Sequence, residues 1–154
     1  MMRTVDLLQT TAAPEAIFAL AADVEQWPRH LRHYRYVRFQ EKTDQGGIVA
    51  MSANRPFGPF NWPTWWTSEM RIDRSALTVH YRHIRGVTTG MHVEWKVERT
   101  AGGALVTLLH EWEGPRWGPL RRPAAEWVIG PVFVHGIASR TLQGLGRVAE
   151  GHRD

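Results

Sequence analysis

The sequence predicts an α+β fold: a curved, seven-stranded antiparallel sheet wrapped around one long C-terminal helix, with two short helices between strands 1 and 2. Three observations lead there. The tail from Pro123 to Glu150 is the only stretch long enough for a major helix. After Pro131, its residues Val134, Ile137, Ala138, Thr141, Leu142, Leu145 and Val148 recur at three- and four-residue steps, which makes one apolar helical face. Most of the chain from Arg32 to Gly114 instead alternates apolar and polar residues, as strands do, and glycine- and aspartate-bearing turns punctuate it. Strands followed by one amphipathic helix bury both apolar faces by packing the sheet around the helix.

Thr4–Thr11 reads as the first strand. Ala13-Pro14-Glu15 opens a helix, because proline is tolerated in a first turn and a carboxylate there faces the positive end of the helix dipole. Ile17, Phe18, Leu20 and Ala21 form its apolar face. Asp23 is placed to cap a second short helix over 24–31, bent or interrupted by Pro28. The second strand runs from Tyr34 to Glu41, with Val37 and Phe39 as its apolar pair. The third, Ile48 to Asn54, has Val49, Met51 and Ala53 on one side. The proline-rich stretch 55–63 reads as a connection. On the fourth strand, 64–73, Trp66, Ser68, Met70 and Ile72 share one face and Trp65, Thr67, Glu69 and Arg71 the other. On the fifth, Leu77, Val79, Tyr81 and His83 alternate with Thr78, His80, Arg82 and Ile84. On the sixth, Met91, Val93, Trp95 and Val97 face inward, opposite His92, Glu94, Lys96 and Glu98. The seventh puts Ala104, Val106, Leu108, His110 and Trp112 on one face. In the final helix, Gly136, Gly144 and Gly146 each cost about 1 kcal/mol relative to alanine. That helix should depend on packing, and its glycines read as points where a ligand or the sheet comes close.

At 154 residues with 43% apolar content, the chain is expected to form one domain over 1–154. No apolar run approaches the ~20 residues needed to cross a bilayer. The N-terminus lacks the apolar core of a signal peptide, so a cytoplasmic location is expected. The absence of cysteine excludes thiol nucleophiles and thiolate metal sites. The net charge of +4 is carried almost wholly by arginine, Lys42 and Lys96 being the only lysines. Eight tryptophans either fill a core or line a pocket for flat apolar ligands.

His83 and His110 fall on inward strand faces, and His135 on or next to the apolar face of the final helix. A neutral imidazole in such a place serves either as a proton shuttle or as a core histidine paired with a neighbour. No pair has the local spacing of a zinc motif, and there is no phosphate loop or Gly-x-Ser-x-Gly elbow. Neither a metal nor an organic cofactor is expected. Arg29, His30, Arg32, His33, Arg35 and Arg38 form the densest basic run. Nucleic acid is not the expected partner, because the tryptophans that would stack on bases mostly face inward. The run reads as solvated surface, or as a dock for an anionic partner. Trp62, Trp65 and Trp66 in NWPTWW read as a pocket wall or lid, with Trp66 facing in. Trp65 faces out, where two copies of the chain could pair as a homodimer.

Three stretches extend this reading. They are FALAADVEQWP (18–28) with Tyr34 and Val37, MHVEWKV (91–97) with Gly102-Gly103 and the strand to Trp112, and the end of the last helix, 141–150. They resemble the opening, the penultimate hairpin and the terminal helix of the bacterial polyketide cyclase/aromatase family, within the START-like (Bet v 1-like) superfamily. The element order resembles that superfamily's helix-grip arrangement. The resemblance implies a hydrophobic ligand held between the concave sheet and the long helix. In the cyclases this is a poly-β-ketone delivered on an acyl carrier protein and folded for aldol closure and dehydration without a cofactor. Carried over residue by residue, it implies Tyr34, Trp66, Ser68 and His83 as pocket groups. With His110, the catalytic candidates are Tyr34, Ser68, His83 and His110. Met70 stands where the family's arginine would be. Arg71 is adjacent, but the strand period points it to the opposite face unless a bulge intervenes. The inward faces add Tyr81, Met91, Trp95 and Trp112 as substrate-contacting residues, together with Trp66 and Met70. The helix adds Val134, His135 and Ala138.

The expected role is therefore a cofactor-independent polyketide cyclase/aromatase-like protein. The alternatives are a non-catalytic carrier of a lipid, quinone or aromatic ligand, and a module whose cavity is filled by its own tryptophans. Converging Tyr34, Ser68, His83 and His110 would favour catalysis. A pocket too small for two rings would argue against catalyst and carrier alike.

Overall fold

Seven strands hydrogen-bond into one antiparallel sheet in a computed structural model that describes residues 2–57, 60–86, 88–113 and 134–151, the side chains of 55–57 and 60–62 excepted. The strands are β1 (Met2–Thr10), β2 (Tyr34–Thr43), β3 (Gly46–Phe57), β4 (Phe60–Asp73), β5 (Thr78–Gly86), β6 (His92–Thr100) and β7 (Gly103–Trp112). Their order is β1-β7-β6-β5-β4-β3-β2, so the first two strands in sequence sit at opposite edges. The chain crosses between those edges through α1 (Pro14–Ala22), a 3₁₀ turn (Val24–Gln26) and α2 (Trp27–His30). The C-terminal helix, α3 (His135–Ala149), packs against β1, β3, α1 and α2. This is the expected helix-grip architecture. The expected start of the long helix, 123–133, lies outside the described residues.

The buried residues match the predicted faces. Val79, Tyr81 and His83 of β5, Val93, Trp95 and Val97 of β6, and Ala104, Val106 and Leu108 of β7 meet Ile137, Ala138, Thr141, Leu142 and Leu145 of α3 in one core. α1 closes one side with Ile17, Phe18 and Ala21.

Two details differ from expectation. The stretch 55–63 is mainly strand: Arg55 pairs with Trp62, Pro56 with Asn61 and Phe57 with Phe60, which extends the β3–β4 hairpin. Proline is tolerated in a strand when its missing N–H is not needed by the ladder. Asp23 precedes the 3₁₀ turn but makes no side-chain cap bond. Pro28 sits in the first turn of α2, and the helix expected over 24–31 is divided there into the 3₁₀ turn and α2. A bulge between Tyr34 and Tyr36 also resolves a parity conflict. Strict alternation would put Tyr34 and Val37, three residues apart, on opposite faces. The extra residue lets both turn inward, and both are buried.

Candidate functional site

A cavity of about 70 Å³ lies between the concave face and α3. Its walls are mostly apolar: Trp27 from α2, Met51 from β3, Trp66 from β4, Met91 just ahead of β6, Val93 and Trp95 from β6, Leu108 from β7, and Val134, Ile137 and Ala138 at the start of α3. The indoles pack among themselves and against Tyr34. Trp27 is 5.2 Å from the Tyr34 ring and 5.6 Å from Trp95, and Tyr34 is 6.3 Å from Trp66. Trp27 is anchored by its Nε1, which donates to the Leu20 carbonyl at 2.9 Å. The space is smaller than the ~150 Å³ of a dry cavity that admits benzene.

Five polar side chains enter this wall: Tyr34, Tyr81, His83, His110 and Thr141, with Thr88 beside His83. The bend after β5 places Thr88. Gly86 turns there at φ +104°, a conformation L side chains rarely adopt, and a Cβ on it would fall 2.6 Å from the Trp65 carbonyl. Thr88 Oγ1 then lies 2.7 Å from His83 Nδ1. His83 stacks on Trp66, with centroids 5.7 Å apart and planes at 12°. Thr141 donates to the Ile137 carbonyl at 2.8 Å. Its oxygen therefore accepts from His33 Nε2 at 3.0 Å. Among the described residues, two of these groups find no hydrogen-bond partner: the buried Tyr81 hydroxyl and His110 Nδ1.

Burial sets the charge state of all these groups. It lowers His83 to about 3, with His110 and His92 nearby adding to the effect, and it lowers His110 to about 3. It raises the Tyr34 phenol, opposed in part by a hydrogen bond with Thr141, and it raises Tyr81 well above the usual range, with Tyr34 contributing. At neutral pH the cavity thus presents two uncharged imidazoles and two protonated phenols. Among the described residues, no three His, Asp or Glu gather as a metal site.

Of the sequence-predicted residues, Tyr34, His83, His110, Trp66, Tyr81, Met91, Trp95, Val134 and Ala138 line the cavity. Four do not. Ser68 is fully buried and opposite His83 in register, yet its Oγ is unpartnered within the sheet. Met70 is buried outside the cavity wall, beside Tyr81 and Gly47. Trp112 is a core residue whose Nε1 donates to the Thr89 carbonyl at 3.0 Å. His135 is the clear correction: its side chain is 63% exposed and pairs with Asp6 of β1. On a helix, His135 sits at the edge of the stripe made by Val134 and Ala138, and here the edge faces solvent. Two helix glycines do serve close approach, but to protein. A Cβ at Gly144 would meet Leu31, one at Gly146 would meet Leu8, and one at Gly136 would meet nothing within 4 Å among the described residues. The Trp62 side chain lies outside the described ones.

Sequence reasoning did not single out Trp27, Met51, Thr88, Val93, Leu108, Ile137 or Thr141 as cavity residues. Most were legible as inward-facing. Nothing local marks Trp27 or Thr88, whose positions depend on where α2 and the β5–β6 turn come to rest.

The family model described as polyketide cyclase / dehydrase and lipid transport matches residues 10–134. The chain belongs to that family. Solved structures agree on the fold of this cyclase/dehydrase-family chain. The Zhui aromatase/cyclase from Streptomyces sp. R1128 is 18% identical, aligned over 96% of this chain and 93% of its own, with a TM-score of 0.77. A START superfamily protein from Mycobacterium smegmatis is 11% identical over 97% and 98%, with a TM-score of 0.68. The major latex-like protein 151 from Panax ginseng is 12% identical over 97% and 96%, with a TM-score of 0.73. At such identities the likeness shows the helix-grip fold. The comparison with curated proteins finds no match. In this family member Arg71 is exposed and registers with His80 on the outer face, so no arginine replaces Met70 on the inner face of β4. The β4–β5 bulge lies between Thr67 and Ser68 and leaves the parity of Arg71 unchanged.

Proposed function

We propose that this chain binds a polyketide-derived or aromatic substrate in the cavity and promotes its aldol cyclisation and dehydration. The observation that carries this reading is the pair of buried, unpartnered atoms in an otherwise apolar wall, the Tyr81 hydroxyl and His110 Nδ1. An orphaned buried polar group costs about 1–3 kcal/mol. A ligand carbonyl or enol oxygen at that point removes the cost. Neutral phenols and imidazoles orient and polarise carbonyls well, but imidazoles held this far below neutrality are weak bases. The contribution is therefore mainly positioning and hydrogen bonding. A methylene between two carbonyls enolises readily, so no strong base is needed. Its enol carbon bonds to a distant carbonyl carbon, with His110 and Tyr81 holding the oxygens. The enol's proton passes to that carbonyl's oxygen. Loss of the new hydroxyl with a neighbouring hydrogen as water leaves the ring double bond. No external oxidant or reductant enters the balance.

At about 70 Å³, the space takes in a ring system as the start of α3 or the facing indoles move outward. In this reading the substrate arrives on an acyl carrier protein in the cytoplasm, and exposed Trp65 is where a second copy would pack.

Met70, buried where the family's arginine would be, favours a second reading, a non-catalytic carrier of a lipid, quinone or aromatic ligand. One experiment separates the two. Purified protein is mixed with a carrier-bound polyketide and the ring products are compared with those of His110→Ala and Tyr34→Phe. A product profile unchanged by both substitutions removes the site assignment. Saturable ligand binding with no change in products selects the carrier.

A further inference from the structure

We propose that the groove between α2 and α3 is an anion-binding site in which Arg32, Arg140 and Arg147 hold a phosphate ester group beside the cavity. The basic run 29–38 is continuous in sequence but comes apart in space. Arg29 Nη1 reaches Gln26 Oε1 at 3.3 Å, Arg35 reaches Ser52 Oγ at 3.5 Å, and Arg38 lies over the Tyr36 ring at 4.8 Å. Arg32 instead joins His30 and His33 on one side of a groove whose other side is Arg140, Gln143 and Arg147. Arg140 and Arg147 are seven residues apart, two turns along one face of α3. Among the described residues, no carboxylate lines the groove.

The space is about 210 Å³, against ~30 Å³ for one liquid water. Three guanidinium groups, one from the turn after α2 and two from α3, thus share a concavity that no carboxylate among the described residues lines. Guanidinium forks match phosphate oxygens bidentately. The crowding already shows in His33: burial first, and then the charge of Arg140, lower it to about 4.

His33 also joins the groove to the cavity. It lines the groove, and its Nε2 donates to Thr141 Oγ1, which lines the cavity. A ligand with an apolar body and a phosphate-bearing tail would find both halves of its chemistry separated by one hydrogen bond. The anion site itself stands on the groove alone. Its pairing with an apolar ligand rests on the cavity reading above.

The test titrates the full chain with inorganic pyrophosphate, followed by backbone amide and histidine-ring NMR. Saturable shifts confined to residues 30–33 and 140–147 are expected. A rise in the His33 ring pKa is also expected, because an adjacent anion favours the imidazolium against Arg32, Arg140 and Arg147. Arg140→Gln with Arg147→Gln should weaken binding about tenfold or more, and Arg32→Gln alone should weaken it less. Thermal melts confirm that the variants are folded. No saturable shift at millimolar pyrophosphate, or unchanged affinity in the double variant, overturns the proposal. Two further probes identify the source of the phosphate: an acyl thioester of phosphopantetheine and the same thioester of pantetheine. Tighter binding of the first, lost in the double variant, assigns the groove to the ligand's own tail. Equal binding of the two, with pyrophosphate still bound, assigns it to a free phosphate. If neither thioester binds while pyrophosphate does, the cavity reading fails and the groove stands.

Discussion

The His83 imidazole is held on two sides, by the Trp66 indole stacked 5.7 Å away and by Thr88 Oγ1 at 2.7 Å from its Nδ1. His110, two strands across the same sheet, has a buried Nδ1 with no partner. The two inward histidines are therefore unequal. His83→Leu strands the buried Thr88 hydroxyl and should cost about 1–3 kcal/mol of stability. His110→Leu should leave the denaturation midpoint unchanged or slightly raised, and should weaken binding of an oxygenated aromatic ligand. Urea unfolding and tryptophan-fluorescence titration measure the two effects. Equal stability losses would show that the histidines do the same job.

Tyr81→Phe removes a buried hydroxyl that has no hydrogen-bond partner among the described residues. The unliganded protein should gain about 1 kcal/mol, while affinity for a ketone-bearing ligand falls. A loss of stability instead would mean that the hydroxyl is already satisfied, and the reading of it as a ligand contact would fall.

Acid should destabilise the fold through the same cavity. His83 and His110 are lowered to about 3 and His33 to about 4, against a usual value near 6.5. Between those values the unfolded chain binds protons that the folded chain refuses. The stability these groups contribute is thus complete above about pH 6.5 and lost as pH falls toward 3. Each fully refused proton steepens the slope by about 1.4 kcal/mol per pH unit. Urea midpoints across this range, compared with those of His83→Leu/His110→Leu, isolate the cavity's share from that of the carboxylates. Parallel profiles for the two proteins would rule out buried neutral imidazoles.

The glycines of α3 offer a contrast within one helix. Gly136→Ala meets nothing within 4 Å and should stabilise by about 0.5–1 kcal/mol. At Gly144 the new Cβ falls 2.3 Å from Leu31 Cδ2, and Leu31 is itself buried. Overpacking of about 1–3 kcal/mol should outweigh the gain in helix propensity. Thermal melts of the two variants decide this. Amide exchange along α3 should also slow when ligand fills the cavity, because the helix start forms its wall.

Much of the site was legible because strand alternation is a local property. Tyr81, His83, Trp95 and His110 could be placed on an inward face by counting in twos. The same counting placed Ser68, Met70 and Trp112 inward, and they are buried, but it says nothing about how far along the sheet the cavity reaches. The Tyr34 bulge and the position of Trp27 depend on contacts distant in sequence. His135 shows the limit for helices. A 3.6-residue period marks a stripe, yet the rotation that decides which edge of the stripe is wet comes from packing against β1, where Asp6 receives it.

From its own pattern the sequence determined the element order, the inward faces, the one long helix and the neutral, cysteine-free chemistry of the interior. These follow from periodicity and composition, which act over a few residues. Only the tertiary structure decided that the cavity measures about 70 Å³, that Tyr81 and His110 find no partner there among the described residues, and that Arg32 meets Arg140 and Arg147. Each is a distance between segments far apart in the chain, set by how the sheet curves and how the helix settles on it.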